Sequence, residues 1–365
     1  MADSVFVMVG TRKGAFVLDG GAERARWSVR GPYLEGQNIM DMAFDPRTNT
    51  VFAAVGDPWF GSRIYRSTDS GRTWDEPTTG PTFPPDSGLA LQKVWNVTPG
   101  RESEPGVVYA GVEPAALFKS SDGGDSWHFV KSLNDHPTRD RWQPGAGGLC
   151  LHTIVLDPFD SNRLHVGISA AGMFSTDDGG KTWRTANDGT RVNFLPDQEP
   201  EYAEFGQCVH KIEIAKSTNG RMYQQNHCGV YRTDDGGANW IEITKGLPSD
   251  FGFCIGVHPT DADTAWVCPV ISGYKHWVPD GAMTVYRTRD AGRSWQKLAN
   301  GLPQSGAFVN ILRDGMAVDS LEPAGVYIGT NTGQLYVTAD EGDSWQQVPG
   351  MFPPINSVGV AVIPG

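Results

Sequence analysis

Six times the chain spells a variant of S/T-x-D-x-G-x-x-W: "STDSGRTW" ending at Trp74, "SSDGGDSW" at Trp127, "TDDGGKTW" at Trp183, "TDDGGANW" at Trp240, "TRDAGRSW" at Trp295 and "TADEGDSW" at Trp345. Successive tryptophans lie 53, 56, 57, 55 and 50 residues apart. A constant period of roughly 50 residues means that one supersecondary unit is built repeatedly, as in a propeller or a solenoid. Within a unit, short apolar runs alternate with turn residues, as in "LCLHTIVLDP", "RLHVGIS", "GMFST" and "KTWRTAN", which predicts four strands. The box falls in the hairpin between the third and fourth strands. There Asp accepts backbone N–H groups, Gly takes a positive φ, and Trp packs on the neighbouring unit.

Upstream of Trp74, "GTRKGAFVLDGGAERARW" keeps the strands and carries Trp27 at the repeat distance, but lacks the box Asp and Gly. It reads as a degenerate seventh unit without a first strand. "INSVGVAVIPG" at the far end supplies one and has nothing after it. The expectation is an all-β, seven-bladed β-propeller of four-stranded blades, a single domain over 1–365. Its first blade is formed by about 4–33 plus 353–365, so that the C-terminal strand closes the ring on the N-terminal blade and removes an open sheet edge.

The boxes resemble the Asp-box, or bacterial neuraminidase, repeat of sialidases, sortilin-type receptors and the photosystem II assembly propeller, and the resemblance spans nearly the whole chain. It implies a sialidase-like or glycosyl-hydrolase-like propeller with its boxes on the rim opposite the ligand face. Because such repeats occur with unrelated activities, the resemblance speaks to fold more than to chemistry. A sialidase would need three arginines for a carboxylate, a Tyr/Glu pair, an acid/base Asp and an R-I-P motif. "SRIYRS" at 62–67 has no such proline, and Arg12, Arg139, Arg141 and Arg313 make no evident triad.

A formal net charge of −12 without a Lys/Arg-rich run repels phosphate backbones, which predicts no nucleic-acid partner. No run approaches the roughly 18 consecutive apolar residues of a membrane span, and the chain enters a strand pattern without a basic leader, so no membrane partner and a cytoplasmic location are expected. The five cysteines are then thiols rather than a disulfide framework.

If the boxes occupy one rim, chemistry belongs at the other, where first strands begin and second-to-third strand turns lie. "GGLCLHTIV" and "GQCVHKIEI" place Cys150-x-His152 and Cys208-x-His210 at matching positions, and "YQQNHCGVY" brings His227 with Gln224 and Asn226. Three imidazoles at one mouth predict a divalent metal (Zn, Mn, Fe or Cu) held by His152, His210 and His227. The same residues also read as hydrogen-bonded channel residues around ordered water. Asp314 of "ILRDGMAVD" and Glu113 are candidate catalytic carboxylates.

Candidate substrate contacts are Arg12 and Lys13 of "GTRKGA", Lys93 of "LQKVWNV", Gln207, Gln224 and Asn226. Trp142 joins them from a long loop, along with the other loop aromatics Phe194, Tyr202, Trp59 and Trp277. The cations suggest a small anionic or sugar-like substrate. The expected function is a metal-dependent hydrolase or lyase. Its alternatives are a non-catalytic binding or assembly propeller, and a metal-free glycoside hydrolase using carboxylates drawn from Glu113, Asp314, Asp57 and Glu204. His258 of "GVHPTD" aligns with Asp157 and is expected to be structural.

Overall fold

A computed structural model describes residues 3–57, 59, 61–77, 79–193 and 201–365. Phe194, one of the candidate loop aromatics, lies outside them. The described chain is all-β apart from one short α-helix, Lys131–Asn134, and three single 3-10 turns. No helix among the described residues is long and apolar enough to cross a membrane.

Four antiparallel four-stranded sheets repeat the same up-and-down order. In the most regular one, Leu151–Leu156 pairs with Leu164–Ile168, which pairs with Gly172–Thr176, which pairs with Arg184–Thr185. The others begin with the inner strands Lys93–Pro99, Val209–Ile214 and Gly252–Val257. A three-stranded sheet starts with Ile39–Asp45, and an isolated bridge between Arg66 and Asp75 continues its outer edge. The last sheet joins two four-stranded halves through one parallel contact, Asp314 with Ser357. In its second half Ile355–Ile363 pairs antiparallel with Ser4–Thr11, from Ser4 opposite Ile363 to Thr11 opposite Ile355. These repeated four-stranded sheets are those of a β-propeller.

The repeated box is a hydrogen-bonded knot in every copy. In the first, Asp69 Oδ1 accepts from the Arg72 and Thr73 amides at 2.9 Å, and its Oδ2 accepts from the Thr73 hydroxyl at 2.7 Å. Asp122, Asp178, Asp235, Asp290 and Asp340 accept from the amide four residues on in the same way. These bonds hold the carboxyls of Asp69, Asp122 and Asp178 well below the usual carboxylate range. The tryptophan then reaches the preceding sheet: Trp240 Nε1 donates to Ala186 O at 2.9 Å, and Trp295 Nε1 to Ile243 O at 2.8 Å. Trp27, without a box, still packs edge-on against Tyr327, with ring centroids 6.0 Å apart.

The core is correspondingly divided into clusters between adjacent sheets. One runs from Trp266 and Cys268 to Ile328 and Trp345, another from Leu151 to Trp142 and Phe174. All five cysteines are buried free thiols.

Candidate functional site

At the ends of the inner strands, on the side away from the boxes, Arg12, Asn38, Met40, Lys93, Trp95, Leu312, Arg313, Asp314 and Asn356 line a cavity of about 380 Å³. Arg12 and Lys13 form the tight turn between Ser4–Thr11 and Gly14–Gly21, as the sequence predicts, but only Arg12 lines the cavity. A cavity of comparable size elsewhere, between Ser62, Arg63 and the stretch from Thr79 to Leu91, contains no acid or histidine.

Three carboxylates sit in and behind the mouth in different settings. Glu113, buried, accepts on Oε2 from Lys93 Nζ and from Trp95 Nε1, both at 2.9 Å. Cross-strand pairing of Lys93 with Glu113 produces this contact. Asp314 accepts from Lys211 Nζ at 2.7 Å. Asp41, a further acid that sequence reasoning passed over, accepts on Oδ2 from Asn96 Nδ2 at 2.8 Å and the Val97 amide at 3.1 Å. Burial, and then the charge of Asp314, push the Asp41 carboxyl up to about 7.

Arg313 lies between two aromatic faces, its guanidinium 5.9 Å from the Trp95 ring centre and 5.7 Å from that of Phe253. It makes no ion pair among the described residues, and its Nε is buried without a hydrogen bond. Arg12 is exposed and its guanidinium likewise has no carboxylate partner among them. Of the other arginines considered, Arg139 and Arg141 stack on Trp142 and Phe205 instead of facing this cavity.

The histidines separate. His152 is fully buried, with Nδ1 at 2.9 Å from Thr153 Oγ1 and Nε2 at 3.0 Å from Val209 O. Nε2 is thus used in packing one sheet on the next and Nδ1 in bonding the neighbouring Thr153 of its own strand, and the expected three-histidine set loses this member. His210 and His227 do come together, ring centroids 5.6 Å apart, and Cys208 joins them. Burial holds the His227 imidazole down at about 4. His258 caps its turn by accepting from the Thr260 and Asp261 amides, a structural role as expected.

Several expected substrate contacts are interior. Trp142 is 5% exposed and packs on Phe174, with Nε1 donating to Thr138 Oγ1 at 2.8 Å, so it is a core residue and not a stacking platform. Gln207 is fully buried and donates to Ala203 O at 2.7 Å. Gln224 lies buried in strand Met222–Asn226, and Asn226 Oδ1 accepts the His227 amide at 2.7 Å. None of these four residues lines the mouth cavity.

Asp57 accepts the Asn38 and Trp59 amides at a strand end. Glu204 is exposed, 3.4 Å from the Thr185 hydroxyl on an outer strand. Of the loop aromatics, Trp59 and Tyr202 are exposed and Trp277 packs edge-on against Phe308. The aromatic that does face the cavity is Trp95, two residues after Lys93 in the strand Lys93–Pro99, and that spacing was the available signal.

No family model matches the chain. Among curated proteins it is similar to a xyloglucanase of Hypocrea jecorina, 26% identical over 310 residues, covering 77% of this chain and 34% of that protein. A xyloglucanase of Paenibacillus sp is 26% identical over 257 residues, covering 64% and 23%. The chain therefore spans only a quarter to a third of these relatives. Among solved structures, the GH74 enzyme of Niastella koreensis superposes with a TM-score of 0.64 at 18% identity, over 94% of this chain and 51% of that one. YCF48 from Cyanidioschyzon merolae superposes with a TM-score of 0.57 at 13% identity, over 88% of each. What the chain has in common with these structures is the β-propeller fold.

Proposed function

We propose that the protein is a glycoside hydrolase acting at the mouth cavity on a sugar that carries negative charge. The observation that carries the reading is one cavity combining a carboxylate (Asp314), an indole face (Trp95) and two guanidinium groups without carboxylate partners (Arg12 and Arg313). Glycoside hydrolysis needs one carboxyl group to protonate the leaving oxygen and a second to activate water or attack the sugar carbon. Asp314 and Glu113 fill those roles, with Asp41 as a proton store behind Asp314. The indole stacks on a sugar face, and the arginines pair with its acid group. The similarity to xyloglucanases over most of the chain supports a carbohydrate substrate.

The scaffold in this reading is a single domain of seven blades. Support comes from the four full sheets, the three-stranded sheet and the two halves of the large one, with the pairing of Ile355–Ile363 to Ser4–Thr11 as its closure.

The test is hydrolysis of a panel of neutral and uronic-acid oligosaccharides. Asp314→Asn and Glu113→Gln are each expected to lower kcat by about 100-fold or more. Arg313→Gln should raise KM for acidic substrates while leaving neutral ones unchanged. Absence of hydrolysis across the panel, with a protein partner captured by the same face, would replace the enzyme with a binding propeller.

A further inference from the structure

The fold gathers a second constellation that the proposed hydrolysis does not use. Cys208, His210 and His227 each direct one ligand atom into a common space, all three lying within 4.8 Å of one another. The local backbone makes this arrangement. Val209 pairs with Asn226, and the His227 amide donates to Cys208 O at 2.9 Å, so the turn carrying His227 is tied to the residue carrying the thiol. His210 follows two residues later, with its Nε2 at 3.6 Å from Cys208 Sγ.

We propose that Cys208, His210 and His227 form a binding site for a borderline-soft transition-metal ion of the zinc class. The tautomer of His210 is fixed for the purpose: Nδ1 lies 2.5 Å from Gly252 O on the next sheet, and a carbonyl can only accept. Nδ1 therefore carries the hydrogen, and the Nε2 lone pair is left facing the thiol. A ligating imidazole held by a backbone carbonyl through its other nitrogen is the usual outer support of a metal-binding histidine.

The ligand atoms need to close by at most roughly 1.5 Å to reach the spacing that tetrahedral bonds of roughly 2.0–2.3 Å impose. His227 is half-buried, on a turn, and can supply that movement. Phe251 and Phe253 wall the site, with His210 stacked on Phe253 at 4.8 Å and His227 edge-on to Phe251 at 4.7 Å. A dry aromatic wall strengthens bonds between a cation and a thiolate. One sulfur and two nitrogens select zinc, cobalt or copper(I) over the oxygen-seeking magnesium and calcium.

A fourth position remains for water or a ligand.

The test is titration of reduced, metal-free protein with Co²⁺, then displacement by Zn²⁺. One equivalent of Co²⁺ should give tetrahedral visible bands and a near-ultraviolet thiolate-to-cobalt band, and Zn²⁺ should bleach them and raise Tm. Cys208→Ser should lose the thiolate band, and His227→Gln should weaken affinity on the order of 100-fold. The exposed His128→Ala should bind as wild type. Circular dichroism establishes that each variant is folded. Absence of stoichiometric binding, or an unchanged thiolate band in folded Cys208→Ser, would overturn the proposal. Neither readout depends on hydrolysis.

Discussion

Lys211 and Asp314 are 103 residues apart in the chain, yet the Lys211 ammonium donates to Asp314 Oδ1 at 2.7 Å, tying the inner strand of one sheet to that of another. The pair is largely buried, with side chains 14% and 11% exposed, and the negative charge of Asp41 also bears on Lys211. The same ammonium lies 3.5 Å from Glu213 Oε1, so it serves three carboxyl groups.

Removing that ammonium strands the carboxylates. Lys211→Met should destabilise the protein by on the order of 3 kcal/mol at neutral pH, because a buried charge loses its partner. Replacing both partners, as in Lys211→Met with Asp314→Leu, should recover much of the loss. Denaturant melts of the two variants provide the comparison, and equal losses in both would show that the pair contributes nothing.

Asp41 makes a prediction about pH. Its carboxyl is raised from 3.8 to about 7 in the folded protein, so between those values the folded state holds a proton that the unfolded state has released. This contribution is complete below about 4 and is lost as pH rises through 7. Asp41→Asn removes the titration. The variant should therefore gain Tm relative to wild type at pH 8 and show no gain at pH 4. A difference in Tm that does not change with pH would contradict the assignment.

The boxes should prove to be structural. Trp240 is 5% exposed and bonded to the preceding sheet, so Trp240→Ala should cost ~3–5 kcal/mol through the cavity it leaves. Whatever stays folded should bind mouth ligands unchanged. Loss of ligand binding without loss of stability, read by calorimetry on the same sample, would put the box on the functional face.

Deleting residues 353–365 removes the partner of Ser4–Thr11 along its whole length. The exposed edge is apolar and should drive aggregation instead of local fraying. Size-exclusion chromatography that finds a monomer with near-native Tm would refute this.

The repeat made the all-β architecture, the box turns and the rim bearing Arg12 legible, because each depends on local turn chemistry repeated at a fixed spacing. The site was less legible for a specific reason. The inner strands carry register shifts close to where they begin, between Ile39 and Asp41, Val94 and Asn96, Leu151 and Thr153, and Val209 and Lys211. Strict alternation of faces fails there, so a count by twos placed His152 in the site and passed over Asp41 and Lys211. Trp142 and Gln207 were misplaced for another reason: both belong to long loops that fold back into the core, and loop length alone does not say which side chains remain outside.

The antiparallel pairing of Ser4–Thr11 with Ile355–Ile363 also sets a timetable for the newborn chain. Ser4–Thr11 leaves the ribosome well before its partner, because the other sheets lie between the two strands in the chain. At about 5–20 residues per second, the interval is roughly 20–70 s. Throughout that time one edge of an almost wholly apolar strand has only solvent, or a neighbouring nascent chain, to pair with. A protein synthesised this way is most exposed to misassembly on crowded polysomes. Slower translation would lengthen that exposure, and a chaperone that shields the hairpin of Ser4–Thr11 and Gly14–Gly21 would have its effect before Ile355–Ile363 emerges.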